Sequence, residues 1–151
     1  MPWVRTRDIL NLSMEFYRHM RFFFEGFNYR DHTQRMGMLL DAVRRHVENL
    51  ERELLCYEKE ASNEVLDAWF QFSPDPPELN IDPTERIRTD MTIDDMLGIT
   101  LDFDTALSEF YKRVYESTEF EAVGELFLNL KNSVVEEKKK LALDTSGLKQ
   151  L

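Results

Sequence analysis

RMGMLLDAVRRHVENLEREL, residues 35–54, places Met36, Leu39, Val43, Val47, Leu50 and Leu54 at spacings of three and four. That spacing puts one hydrocarbon seam on one side of a helix. The chain carries this pattern twice. AVGELFLNLKNSVVEEKKKL, residues 122–141, aligns to it without gaps, so that Gly37 falls on Gly124, Leu39 on Leu126, Val43 on Leu130, Val47 on Val134 and Leu54 on Leu141. A shorter match precedes each copy: EFYR at 15–18 recurs as EFYK at 109–112. The shared glycine and the shared Glu-Phe-Tyr point to an internal duplication of a two-helix unit.

Working outward, four long helices are expected in two pairs. The first, helix A, runs from about Thr6 to Phe27, with Ile9, Phe16, Met20, Phe23 and Phe27 on its apolar side. Asp31 is the expected N-cap of helix B, with Gln34 at the third position, and that helix ends near Glu60. Thr92 with Asp95 starts helix C, which carries Met96, Leu97, Leu101, Leu107, Tyr111 and Val114. Thr118 with Glu121 starts helix D, and Gly147 lies in a tail. Between the pairs, NEVLDAWFQF (63–72) is expected as a short helix bearing Trp69, Phe70 and Phe72. SPDPPELNIDPTERIRTD (73–90) then holds all four interior prolines, which exclude a regular helix there. A loop this long inside a compact domain fits a crossover along a bundle. The expected organisation is one all-α domain over 1–151: a hairpin over 6–60, a crossover over 61–91, a hairpin over 92–144 and a tail over 145–151.

Composition narrows the function. The chain of 151 residues is 42% hydrophobic and 32% charged, with 11 Phe and only 5 Gly, which suits a helical protein with a sizeable core. A net charge of −10 argues against nucleic acid and against anionic membrane surfaces as partners. No apolar run reaches the length of a membrane span. MPWVRTRDIL has no signal-peptide core, and Cys56 is the single cysteine, so a cytoplasmic location is the expectation.

Two helical hairpins joined by one long crossover is the ferritin-like arrangement of a four-helix bundle. The chain resembles ferritin-like and rubrerythrin-like proteins in more than topology. Members of that superfamily often carry an aromatic pair after a metal-binding Glu in the first helix of each hairpin, matched here by Phe16-Tyr17 and Phe110-Tyr111. In the second helix they carry an apolar position followed by E-x-x-H, and Leu40 and Phe127 match the apolar position. The resemblance covers both hairpins but not the crossover. The ligand positions it implies are mostly hydrocarbon. Leu10 and Asp104 stand where the first-helix Glu belongs, Val47 and Val134 where E-x-x-H begins, and Leu50 and Glu137 where its His falls. A di-metal centre needs about four carboxylates and two histidines facing inward. The resemblance therefore implies a bundle with an eroded metal site.

His46 and Glu48 flank Val47 and read as the edge of the seam, with Glu48 to Glu53 as a solvated face. Glu15 and His19, four apart, read as an ordinary intrahelical contact. His32 is expected to face water, and Cys56, among Glu53, Glu58 and Glu60, to be a packed or half-packed unreactive thiol. MEFYRHMRFFFEGF is apolar almost all round, and a helix of that kind needs cover on every side. Segment 66–72 and a second subunit are the expected cover, giving a homodimer. The functional expectation is a non-enzymatic binding or scaffold protein without cofactor. The alternative is a di-iron or di-manganese oxidase or peroxidase using displaced ligands from Glu15, His19, His46, Glu48, Asp104 and Glu137.

Overall fold

A computed structural model describes residues 2–25, 34–72 and 92–149. Its elements are β1 (Trp3–Arg5), α1 (Thr6–Glu25), α2 (Gln34–Glu60), α3 (Asn63–Leu66), β2 (Trp69–Gln71), α4 (Ile93–Ser117) and α5 (Glu121–Lys149). The all-α expectation holds for the bulk of the chain, with a small two-stranded ribbon added. No helix among the described residues is long and apolar enough to cross a membrane.

Cross-links fix the helix directions. The end of α1 meets the start of α2 where Phe24 lies beside Leu40 and Asp41, while the start of α1 meets the chain just after α2 through Arg7 and Asp67 at 3.2 Å. These two helices are therefore antiparallel. Only 118–120 separate α4 from α5, and the two run back along each other, with Gly124 facing Tyr115 and Lys138 bonded to Thr105. A Cβ on Gly124 would lie 3.4 Å from the Tyr115 ring, so the bare backbone lets the hairpin close tightly. The antiparallel run of α2 against α5 is marked by Asn49–Glu137 and by Arg35 donating to the Leu148 carbonyl. It follows that α2 and α4 run parallel.

The repeats meet at the centre. Tyr17 and Tyr111, the tyrosines of EFYR and EFYK, are fully buried with hydroxyls 3.0 Å apart. Phe16 packs edge-on against Phe103 at 5.7 Å, and Tyr111 leans on Phe127. Around them one continuous apolar cluster draws Ile9, Leu39, Val43, Leu50, Leu107, Val123 and Leu130 from all four long helices.

Start signals explain part of this and fail elsewhere. Thr92 and Asp95 form the expected reciprocal capping box of α4. Thr118 instead closes α4, and its hydroxyl accepts from the Phe120 N–H, while the Phe120 carbonyl takes the first amides of α5. The tail is not separate: α5 continues through Gly147 to Lys149, with Thr145 and Leu148 buried. The short helix stops at Leu66, and Trp69–Gln71 forms a strand rather than helix. It pairs antiparallel with Trp3–Arg5, Val4 opposite Phe70. Alternation then sends Val4 and Phe70 inward and leaves Trp3 and Trp69 exposed. The Asp31 cap, His32, the end of helix A at Phe27 and the proline segment 73–91 lie outside the described residues. Cys56 is exposed, because it sits on the far side of α2 from the seam.

Burial drives the Tyr111 pKa up to about 12 and that of Tyr17 well above its ordinary value, so both hydroxyls stay protonated. The Ser13 side chain also hydrogen-bonds Tyr111, whereas Tyr111 is the one hydroxyl partner of Tyr17 among the described residues. Tyr111→Phe should therefore cost about 1–3 kcal/mol by orphaning a buried hydroxyl, and Tyr17→Phe distinctly less. Urea unfolding of both variants measures the order; equal losses would contradict it.

Candidate functional site

His46 lies three residues after Val43 and four before Leu50, so the helical period turns it onto the buried seam of α2. Asp104 lies between Thr100, Phe103 and Leu107 on the buried face of α4. The two side chains are 2% and 1% exposed, and His46 Nε2 stands 2.7 Å from Asp104 Oδ2. An ionised Asp104 can only accept, so the ring proton sits on Nε2. A neutral imidazole then presents its Nδ1 lone pair outward.

That second nitrogen faces α5. His46 Nδ1 is 4.0 Å from Glu137 Oε2, and Asn49 Nδ2 donates to the same oxygen at 3.4 Å. Glu53 completes the row, because 46, 49 and 53 share one face of α2. The site is electrostatically strained. Burial raises the Asp104 pKa, with the His46 hydrogen bond pulling it back. Burial first, and then the Glu137 charge, raise that of Glu53 against the opposing effects of Ser133 and Lys140. His46 Nδ1, Asp104 Oδ1 and Glu53 Oε2 are buried without a hydrogen-bond partner. A cleft of about 330 Å³ opens over His46 between α2 and α5.

The structure divides the six candidate ligands. His46, Asp104 and Glu137 converge, whereas Glu15, His19 and Glu48 are exposed and turned away from the core. Among the described residues, no group of three or more His, Cys, Asp or Glu side chains is arranged to hold a metal ion. His46 is buried and hydrogen-bonded across the core, not a seam-edge residue. The stretch Glu48–Glu53 is not uniformly solvated either: Glu51 is buried against Arg21, and Glu53 is half-buried. Asn49 also belongs to the site, and Glu53 does so against the expectation of a solvated face. Their helical spacing to His46 could have found both. Comparison with known protein families, with curated proteins and with solved structures finds no match for the chain.

The raised Glu53 pKa has a testable sign. The folded chain holds this proton more tightly than the unfolded chain, whose glutamate titrates near its ordinary 4.5. Its stabilising contribution is complete below that value and lost as pH rises through the raised one. Glu53→Gln removes the titration and the repulsion from Glu137. The variant should melt above the parent at about pH 8, with the gap closing toward about pH 4. A gap independent of pH would show that Glu53 is unperturbed.

Proposed function

We propose that the chain is a ferritin-like bundle whose di-metal centre has given way to hydrocarbon and a His46–Asp104 pair, and that it acts by binding, as a homodimeric scaffold. The observation that carries this reading is the filling of the ligand positions. Leu10, Val47, Leu50 and Val134 occupy them and are 1%, 1%, 2% and 1% exposed. No rotamer change turns these side chains into donors. The fifth position, Asp104, already spends one oxygen on His46, and Glu137 is the sole other carboxylate of the set.

The helix directions support the ferritin-like reading, because parallel α2 and α4 need a connection running back along the bundle. Pairing of the repeat-equivalent Tyr17 and Tyr111 across the centre supports the duplication. Support for a homodimer comes from α1. Phe23 and Phe24 are buried, but Phe22 is 74% exposed, with no cover from the ribbon. The competing oxidase or peroxidase reading requires Glu15, His19 and Glu48 to leave exposed faces and reach the interior. No observation favours that.

Two measurements test the proposal. Chain purified without chelator should carry sub-stoichiometric Fe and Mn, and two metal equivalents per chain would overturn it. Light scattering should give a dimer that Phe22→Glu converts to folded monomer at 18.0 kDa. A wild-type mass of 18.0 kDa at all concentrations would remove the homodimer.

A further inference from the structure

The cleft over His46 is built unlike the rest of the surface. Its floor is acceptors. His46 Nδ1 belongs to a side chain only 2% exposed, has no hydrogen-bond partner, and lines the cleft beside Glu137. Its rim holds the cations Arg45, Arg52 and Lys140, and none of them enters an ion pair among the described residues. Glu48 and Asp144 also border the rim, so the charge is mixed there and the cleft is not a plain anion site. The volume of about 330 Å³ lies at the low end for ligand pockets, and suits a small metabolite rather than a peptide.

We propose that this cleft binds a small primary amine bearing an anionic group, an amino acid or an amino phosphate, with its ammonium between His46 Nδ1 and Glu137 and its anionic end at Arg45, Arg52 and Lys140. The floor geometry selects the ammonium. Two acceptors 4.0 Å apart can be reached together by one donor lying about 2.8 Å from each. Asp104 fixes the ring so that Nδ1 offers a lone pair to that donor. An anion at the floor would instead meet the Glu137 carboxylate, with Glu53 directly behind it. A hydroxyl could bridge the floor, but it would leave the Glu137–Glu53 charge unopposed. Chain architecture explains the rim: Arg45 and Arg52 are seven apart on α2, and Lys140 follows Glu137 by three on α5, so all three cations share the face that frames the floor. The unpartnered His46 Nδ1 is a standing cost to the empty fold, as in a site organised for a ligand.

This inference rests on the binding reading, and its test is separate, since metal content and oligomer mass do not enter it. Calorimetry on the full chain uses phosphoethanolamine, β-alanine and glycine as probes, with ethanolamine and inorganic phosphate as half-ligands. At least one of the three probes should bind once per chain, about tenfold or more tighter than either half-ligand. Glu137→Gln and Arg52→Gln/Lys140→Gln, both on the cleft's accessible walls, should each weaken that probe about tenfold while the circular dichroism spectrum stays helical. Absence of saturable binding by all three probes up to about 10 mM overturns the proposal. Equal binding of inorganic phosphate, or an affinity unmoved by Glu137→Gln, overturns it as well. Should Glu137→Gln fail to fold, the double variant and the half-ligand comparison still decide.

Discussion

The hydrogen bond from His46 to Asp104 crosses the interior of the protein, and the packing around it depends on its being made. A lone buried carboxylate costs several kcal/mol, and a buried imidazole with neither nitrogen satisfied is expensive as well. Each group makes the other tolerable. Their pairing joins α2 to α4, two helices that run parallel and share no short connection. It also restricts their register. A slide of α4 by one residue would replace Asp104 with Phe103 or Thr105 and leave His46 without a carboxylate partner. Leu10, Val47, Leu50 and Val134 lie buried in one apolar cluster. The Tyr17–Tyr111 hydroxyl pair gives the same kind of restriction between α1 and α4.

What the sequence made legible follows from the range of the interactions involved. The four long helices rest on local period, and the α4 capping box lies within four residues, so both could be read directly. The ribbon could not. Trp3–Arg5 and Trp69–Gln71 are three residues each, too short to show alternation, and they pair across more than sixty residues. Their aromatic and apolar content resembles helix as well as strand. Thr118 misled for a related reason: it has the chemistry of an N-cap, but the turn between α4 and α5 is too tight to spare it from ending the first helix. Val47, Val134, Leu10 and Leu50 follow the apolar period and are core. His46 was misjudged because the buried stripe of α2 is wide enough to take in both His46 and Val47. A seam drawn through Val47 alone leaves His46 at its edge. Asn49 and Glu53 were legible by spacing once His46 was placed inward.

The two faces of His46 have different roles. On its Nε2 side the ring is buried and hydrogen-bonded to Asp104 Oδ2. The Nδ1 side meets a half-open row of carboxylates, where burial and the Glu137 charge raise the pKa of Glu53. Glu53 and Glu137 repel each other across the α2–α5 seam, where two apolar side chains would pack without strain. Natural chains hold such arrangements where something outside the fold compensates them. On the α1 side Phe22 is exposed.

The state of the His46 ring is the most direct test of this account. A long-range proton–nitrogen spectrum of the histidines, recorded near neutral pH, separates the protonated from the unprotonated ring nitrogen for each residue. The account predicts that His46 keeps a fixed proton on Nε2, and that Asp104→Asn disturbs it while leaving His19 unchanged. An imidazole averaging between both tautomers, as a solvent-exposed ring does, would contradict the claim that the His46–Asp104 bond organises the core.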